Sequence, residues 1–174
     1  MGGDSLAPGY THRAGHIQIA PGAMPISDID WASVACPPDE LFAEFLSPHL
    51  LQGVEARGRW PFTDIEFYLS TGSLPLHVDD LSPPGGLVMG MILECEADFV
   101  LTTGRSRVPA RAGDVYLLDP FKRHGAETSG FYAFAALDVA PGADMCPERF
   151  RDRTISELCG MLRATNTRYK SYSE

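Results

Sequence analysis

Runs of a single charge, long apolar runs, closely paired cysteines and internal repeats are all missing from this chain, and each absence excludes something. No stretch of Lys or Arg interrupts an acidic background: 14 Lys and Arg stand against 23 Asp and Glu, a net charge of −9. A duplex-binding surface needs a basic footprint, so nucleic acid is not expected as a partner. The Arg and Lys residues between 149 and 170 are interleaved with acids and read as the solvated face of a helix. No segment approaches the about 20 continuous apolar residues of a bilayer span, so no membrane association is expected. The first residues lack an apolar core of the signal-peptide kind. Cys36, Cys95, Cys146 and Cys159 are widely spaced and form no C-x-x-C pair, which argues against a zinc ribbon and fits free thiols in a reducing cytoplasm.

What is present suits one domain over residues 1–174 with a sizeable core. Residues 1–37 are rich in Gly and Pro, with one short alternation at 16–20 that fits an edge strand. Residues 38–47 open with Pro and acids and carry Leu41, Phe42, Phe45 and Leu46 at helical spacing. After residue 60 the period shortens. Eight β-type runs follow, at 64–70, 74–80, 87–96, 98–103, 105–110, 114–118, 123–128 and 131–139, each bounded by Gly, Pro, Ser or Asp. Residues 147–164 return to helical spacing with Phe150, Ile155, Leu158, Met161 and Leu162. The expected fold is therefore mainly β, an eight-stranded jelly roll over 60–140 with helices flanking it on the N- and C-terminal sides.

Within that frame, His77-Val78-Asp79 and the later His124 carry the chemistry. Two imidazoles and one carboxylate form the facial ligand set that holds Fe(II) and leaves the remaining positions open. His77 and Asp79 are i and i+2, so on a strand both point to one side, while Val78 and Asp80 point to the other. The third ligand lies 124 − 79 = 45 residues on, enough for several strands to fold back beside the first pair. Taken singly, each residue has a plainer reading: His124 as a turn cap, Asp79 and Asp80 as a solvated turn before Pro83. His12, His16 and His49 have no partner at ligand spacing and are assigned no role, as are Glu94 and Glu96. Met89, Met91 and Cys95 read as strand packing, and Trp60, Phe62, Phe67 and Tyr68 as core, with Tyr68 a second choice for the barrel mouth.

Numbered along the eight runs, His77 and Asp79 fall on the second strand and His124 opens the seventh. With the Gly113-Asp114 turn and the His124-Gly125 pair, the chain resembles the 2-oxoglutarate/Fe(II)-dependent dioxygenases over residues 60–140. The resemblance implies a double-stranded β-helix with Fe(II) as cofactor and 2-oxoglutarate and molecular oxygen as co-substrates. It also implies hydroxylation of a small molecule or a protein side chain. Many members hold the far carboxylate of the keto-acid with an Arg shortly after the distal His, but 130–137 contains no cation here. A buried carboxylate needs a charged partner, and Arg107, Arg105, Lys122 and Thr102 are the candidates, Arg107 first.

Two other readings stand beside this one. Gly113-Asp114, Pro120 and His124 also resemble the second motif of cupins, which implies a metal-dependent dioxygenase or isomerase without a keto-acid. Asp79 stands where cupins commonly have a His. A non-catalytic jelly-roll binding module is the third. Substrate choice would lie with the loops at the barrel mouth, residues 52–64 and 81–87, and with the N-terminal segment, and the C-terminal helix offers a surface for a homodimer.

Overall fold

The structure, a computed structural model, describes residues 5–22, 55–59, 65–79, 82, 84–140 and 143–172. The expected helix at 38–47, together with Cys36, His49, Trp60 and Phe62, lies outside the described residues, as do the side chains of Phe67 and Tyr68. The described chain is mainly β: two antiparallel sheets and one helix. In chain order the strands are β1 (His12–Ala14), β2 (Ile17–Ala20), β3 (Glu55–Arg59), β4 (Glu66–Thr71), β5 (Leu74–His77) and β6 (Leu87–Cys95). They continue with β7 (Val100–Thr103), β8 (Arg107–Pro109), β9 (Val115–Leu118), β10 (His124–Glu127) and β11 (Phe131–Val139). Helix α1 (Pro147–Tyr172) follows.

One sheet has seven strands in the order β1-β2-β9-β6-β11-β4-β3 and the other four in the order β5-β10-β7-β8. Counted from β4 as strand one, the middle of the first sheet reads 6-3-8-1 and the second sheet reads 2-7-4-5. Apart from 4 and 5, which form a hairpin within the second sheet, successive strands thus alternate between sheets, the double winding of a jelly roll. The expectation of eight strands is corrected to eleven among the described residues. The extra ones are β1, β2 and β3, which extend the larger sheet at both edges. Strand β3 lies within residues 52–64, the stretch expected to govern substrate choice.

Burial explains why the central runs are so apolar. On β9, Val115 and Leu117 join a core cluster with Phe150 and Leu158 of α1, while Tyr116 and Leu118 join a second cluster with Leu101 and Ala126 of the smaller sheet. Strand β6 divides in the same way: Met89, Met91 and Leu93 face the helix side, and Ile92 faces the opposite sheet. A strand covered on both faces loses the polar half of its alternation. The helix starts at the expected Pro147 and runs beyond residue 164. Its Arg151 donates to the carbonyls of Gly113 (3.1 Å) and Pro21 (3.3 Å), tying α1 to the turn before β9. That turn has Gly113 at φ 90°, open to glycine, and its Asp114 carboxylate accepts from the backbone N–H groups of Gly22 (2.6 Å) and Arg111 (2.8 Å). No helix among the described residues is long and apolar enough to cross a membrane.

Gly90, in the middle of β6, is fixed by Tyr116. A Cβ at position 90 would lie 2.0 Å from the Tyr116 ring and 2.2 Å from its hydroxyl. Gly90→Ala should therefore push Tyr116 off its rotamer and cost about 1–3 kcal/mol, the usual range for overpacking a filled core. Chemical denaturation should show the loss largely relieved when Tyr116→Leu is added, and equal losses in both backgrounds would contradict the contact.

Candidate metal centre

The register of the smaller sheet builds the site. Strand β10 lies between β5 and β7, and its first residue, His124, is the Cα partner of both His77 on β5 and Thr103 on β7. Cross-strand partners share a face, so the two imidazoles meet, with ring centroids 4.5 Å apart. Gly125 permits this approach: a Cβ there would lie 2.6 Å from the Leu74 carbonyl oxygen, and the β5–β10 pairing is irregular at that step.

Asp79 arrives differently from expectation. Strand β5 ends at His77, so Asp79 is not a strand residue; it lies in the chain just beyond, where its N–H donates to the Pro120 carbonyl (2.8 Å). The turn 119–122 holds that carbonyl in place, with the Asp119 carboxylate and carbonyl accepting from the N–H groups of Phe121 and Lys122. The same turn orients His124, whose Nδ1 lies 2.8 Å from the Lys122 carbonyl. His77 Nδ1 is likewise 2.8 Å from the Pro75 carbonyl. A carbonyl can only accept, so each Nδ1 carries the proton that it donates, and each Nε2 is left as the free ligand atom. Both Nε2 atoms face Asp79: His77 Nε2 is 3.4 Å from Oδ1 and His124 Nε2 is 3.3 Å from Oδ2. The three ligand atoms lie within 4.8 Å of one another. Two nitrogens and a carboxylate oxygen on one side fit a divalent ion, with His124 buried and His77 and Asp79 partly open.

A proton competes for the same position. Burial, the largest single influence on His124, favours its neutral form. The Asp79 hydrogen bond, the Lys122 carbonyl and the charges of Asp79 and Asp119 together outweigh it and hold the pKa above the ordinary 6.5. Tyr116, fully buried behind the site, has its phenol pushed up first by burial and then by the Asp79 charge, so it stays protonated.

The residues expected to hold a keto-acid carboxylate are not gathered here. Thr102 pairs with Gly125 and Arg107 pairs with Thr102, so strand alternation turns both to the face away from His124. Arg107 is exposed and ion-paired with Glu127. Arg105 lies in the exposed bend between β7 and β8, and Lys122 is exposed, 3.6 Å from Asp119. Glu94 is half-buried and Glu96 exposed on the far end of β6. Met89 and Met91 are buried, and Cys95 is half-buried, its thiol pushed up to about 11 chiefly by burial. Two residues near the site were not found from the sequence. Tyr116 was hidden in an apolar strand, and His16, beside no other ligand type in the chain, is brought up by a hairpin.

No family model matches the chain, and no curated protein matches it. Among solved structures, a Cupin 2 conserved barrel domain protein from Salinispora arenicola CNS-205 is similar at 20% identity, covering 57% of this chain and 82% of that one, with a TM-score of 0.33. The jelly-roll assignment rests on the strand order rather than on that likeness.

Two predictions follow from the site's construction. Gly125→Ala keeps all three ligands yet should lower divalent-metal affinity at least tenfold, about 1.4 kcal/mol, by forcing β10 away from Leu74; unchanged affinity by calorimetry would contradict it. Acid should also weaken binding. As pH falls through the raised His124 value, the proton takes Nε2, so affinity should drop across the window around that value, which lies above the ordinary 6.5. For folding without metal the sign is opposite: a raised pKa contributes stability that is full below the unfolded value and is lost as pH rises through the folded one. A flat metal affinity across that window would contradict the assignment.

Proposed function

We propose that this chain is a cupin-type mononuclear metal protein acting as an Fe(II)-dependent oxygenase, with His77, Asp79 and His124 as the ligands. The observation that carries the reading is the convergence of two Nε2 atoms on one carboxylate while both Nδ1 protons are engaged by backbone carbonyls. Bound Fe(II) would supply one-electron chemistry with molecular oxygen at the positions the three ligands leave open. The chain's own residues do the rest. The carbonyls of Pro75 and Lys122 lock the tautomers, and the inter-sheet cluster with Ile17, Leu101 and Tyr116 supplies an apolar wall that keeps water back. The substrate in this reading is a small molecule or a side chain that enters from the more open His77 side.

A 2-oxoglutarate-dependent hydroxylase is the finer form of this reading. Its support is the ligand order, with His77 and Asp79 at the second core strand and His124 opening the seventh. Against it stands the placement of Arg107 and Thr102 on the face away from His124, with Arg107 exposed and ion-paired and Thr102 buried. The form without a keto-acid is therefore preferred.

Anaerobic loading with Fe(II) tests both. Nitric oxide, an oxygen surrogate, should give the electron paramagnetic resonance signal of an iron nitrosyl in the wild type and not in Asp79→Ala; no signal in the wild type would contradict the oxygenase reading. Adding 2-oxoglutarate should produce no visible charge-transfer band. Appearance of that band, with succinate released under oxygen, would restore the keto-acid form.

A further inference from the structure

The β1–β2 hairpin belongs to the seven-stranded sheet, yet its tip reaches the other sheet. Gly15 has φ 59°, and a Cβ there would lie 3.3 Å from Thr103 Oγ1. Thr103 is the β7 partner of His124 and shares its face, so the hairpin tip sits on the His124 side of the barrel. Ile17, the next residue after His16, is fully buried in the inter-sheet cluster and fixes the hairpin there.

His16 is thereby held beside the candidate metal centre. Its imidazole is kept toward the neutral form first by burial and then by the positive charges of His124 and Lys122, with Asp119 opposing. Its Nε2 is shut off from solvent and has no hydrogen-bond partner among the described residues. A buried ring nitrogen without a partner gives up its water and recovers nothing, and native folds keep few such atoms without a use for them. It is not one of the three converging ligand atoms.

Resting on the metal reading above, we propose that His16 contacts the exogenous ligand of this site, its Nε2–H donating to a small anionic group bound at a metal position left open by His77, Asp79 and His124. His77 and His124 come from the four-stranded sheet, Asp79 from the chain just beyond it, and His16 from the turn of a hairpin that belongs to the seven-stranded sheet, so a small anion would be clasped between the two layers.

Azide titrated into the Co(II)-loaded protein, followed by the visible cobalt bands, tests this directly. Co(II) affinity should be the same in wild type, His16→Ala and His16→Gln. Azide affinity should fall about tenfold in His16→Ala, the scale of one hydrogen bond to a charged group, and recover in His16→Gln, which restores an N–H donor. Equal azide affinity in wild type and His16→Ala would overturn the inference while leaving the metal centre standing. Loss of Co(II) affinity in both variants would overturn it too, by making His16 part of the metal set or of the fold. A wild type that takes up no Co(II) would overturn the metal reading itself, and this inference with it.

Discussion

The pairing of β10 with β5 sets His77 opposite His124, and everything proposed for this protein depends on that register. A slip of one residue would turn one imidazole to the opposite face of the sheet, which carries Thr102 and Arg107. Three backbone features hold the register. Gly125 lets the strands close at an irregular step, the Pro120 carbonyl fixes Asp79 beyond the strand end, and the Lys122 carbonyl sets the His124 ring. The ligand set is thus held by main-chain atoms, which do not wander among rotamers as side chains do.

The strands that carry the site were legible because turn residues punctuate them. Gly72, Gly113 and Gly130 mark turns that end runs of β-type sequence, and each of the eight expected runs contains a strand. The edges were less legible. Strand β3 carries Glu55, Arg57 and Arg59 with Gly58 among them, a composition that signals loop more than strand; only its pairing with β4 makes it one. For the site, the ligand spacing was readable, but the same-face argument for His77 and Asp79 assumed a strand that stops at His77. What brings Asp79 in is a hydrogen bond to Pro120, a tertiary contact with no local signature.

The cations show the limit most clearly. Arg105 and Arg107 share a face by alternation if the run 105–110 is one strand, yet the strand begins only at Arg107 and its face is set by the partner Thr102. Alternation says which residues share a face; it does not say which face is inside. His16 failed to stand out for the opposite reason, since its neighbours at the site, His124 and Lys122, are more than a hundred residues away in the chain. Gly90 falls inside the expected run 87–96 with no signal of its own, and its role comes from the Tyr116 ring lying over it.

The central claim is that one divalent ion is held by His77, Asp79 and His124. Anomalous X-ray diffraction from crystals of the metal-loaded protein tests it most directly. The account predicts a single strong peak about 2.0–2.2 Å from His77 Nε2, His124 Nε2 and an Asp79 carboxylate oxygen, the range of first-row metal–ligand bonds. A peak elsewhere on the chain, or none at this position with the metal present in solution, would contradict it.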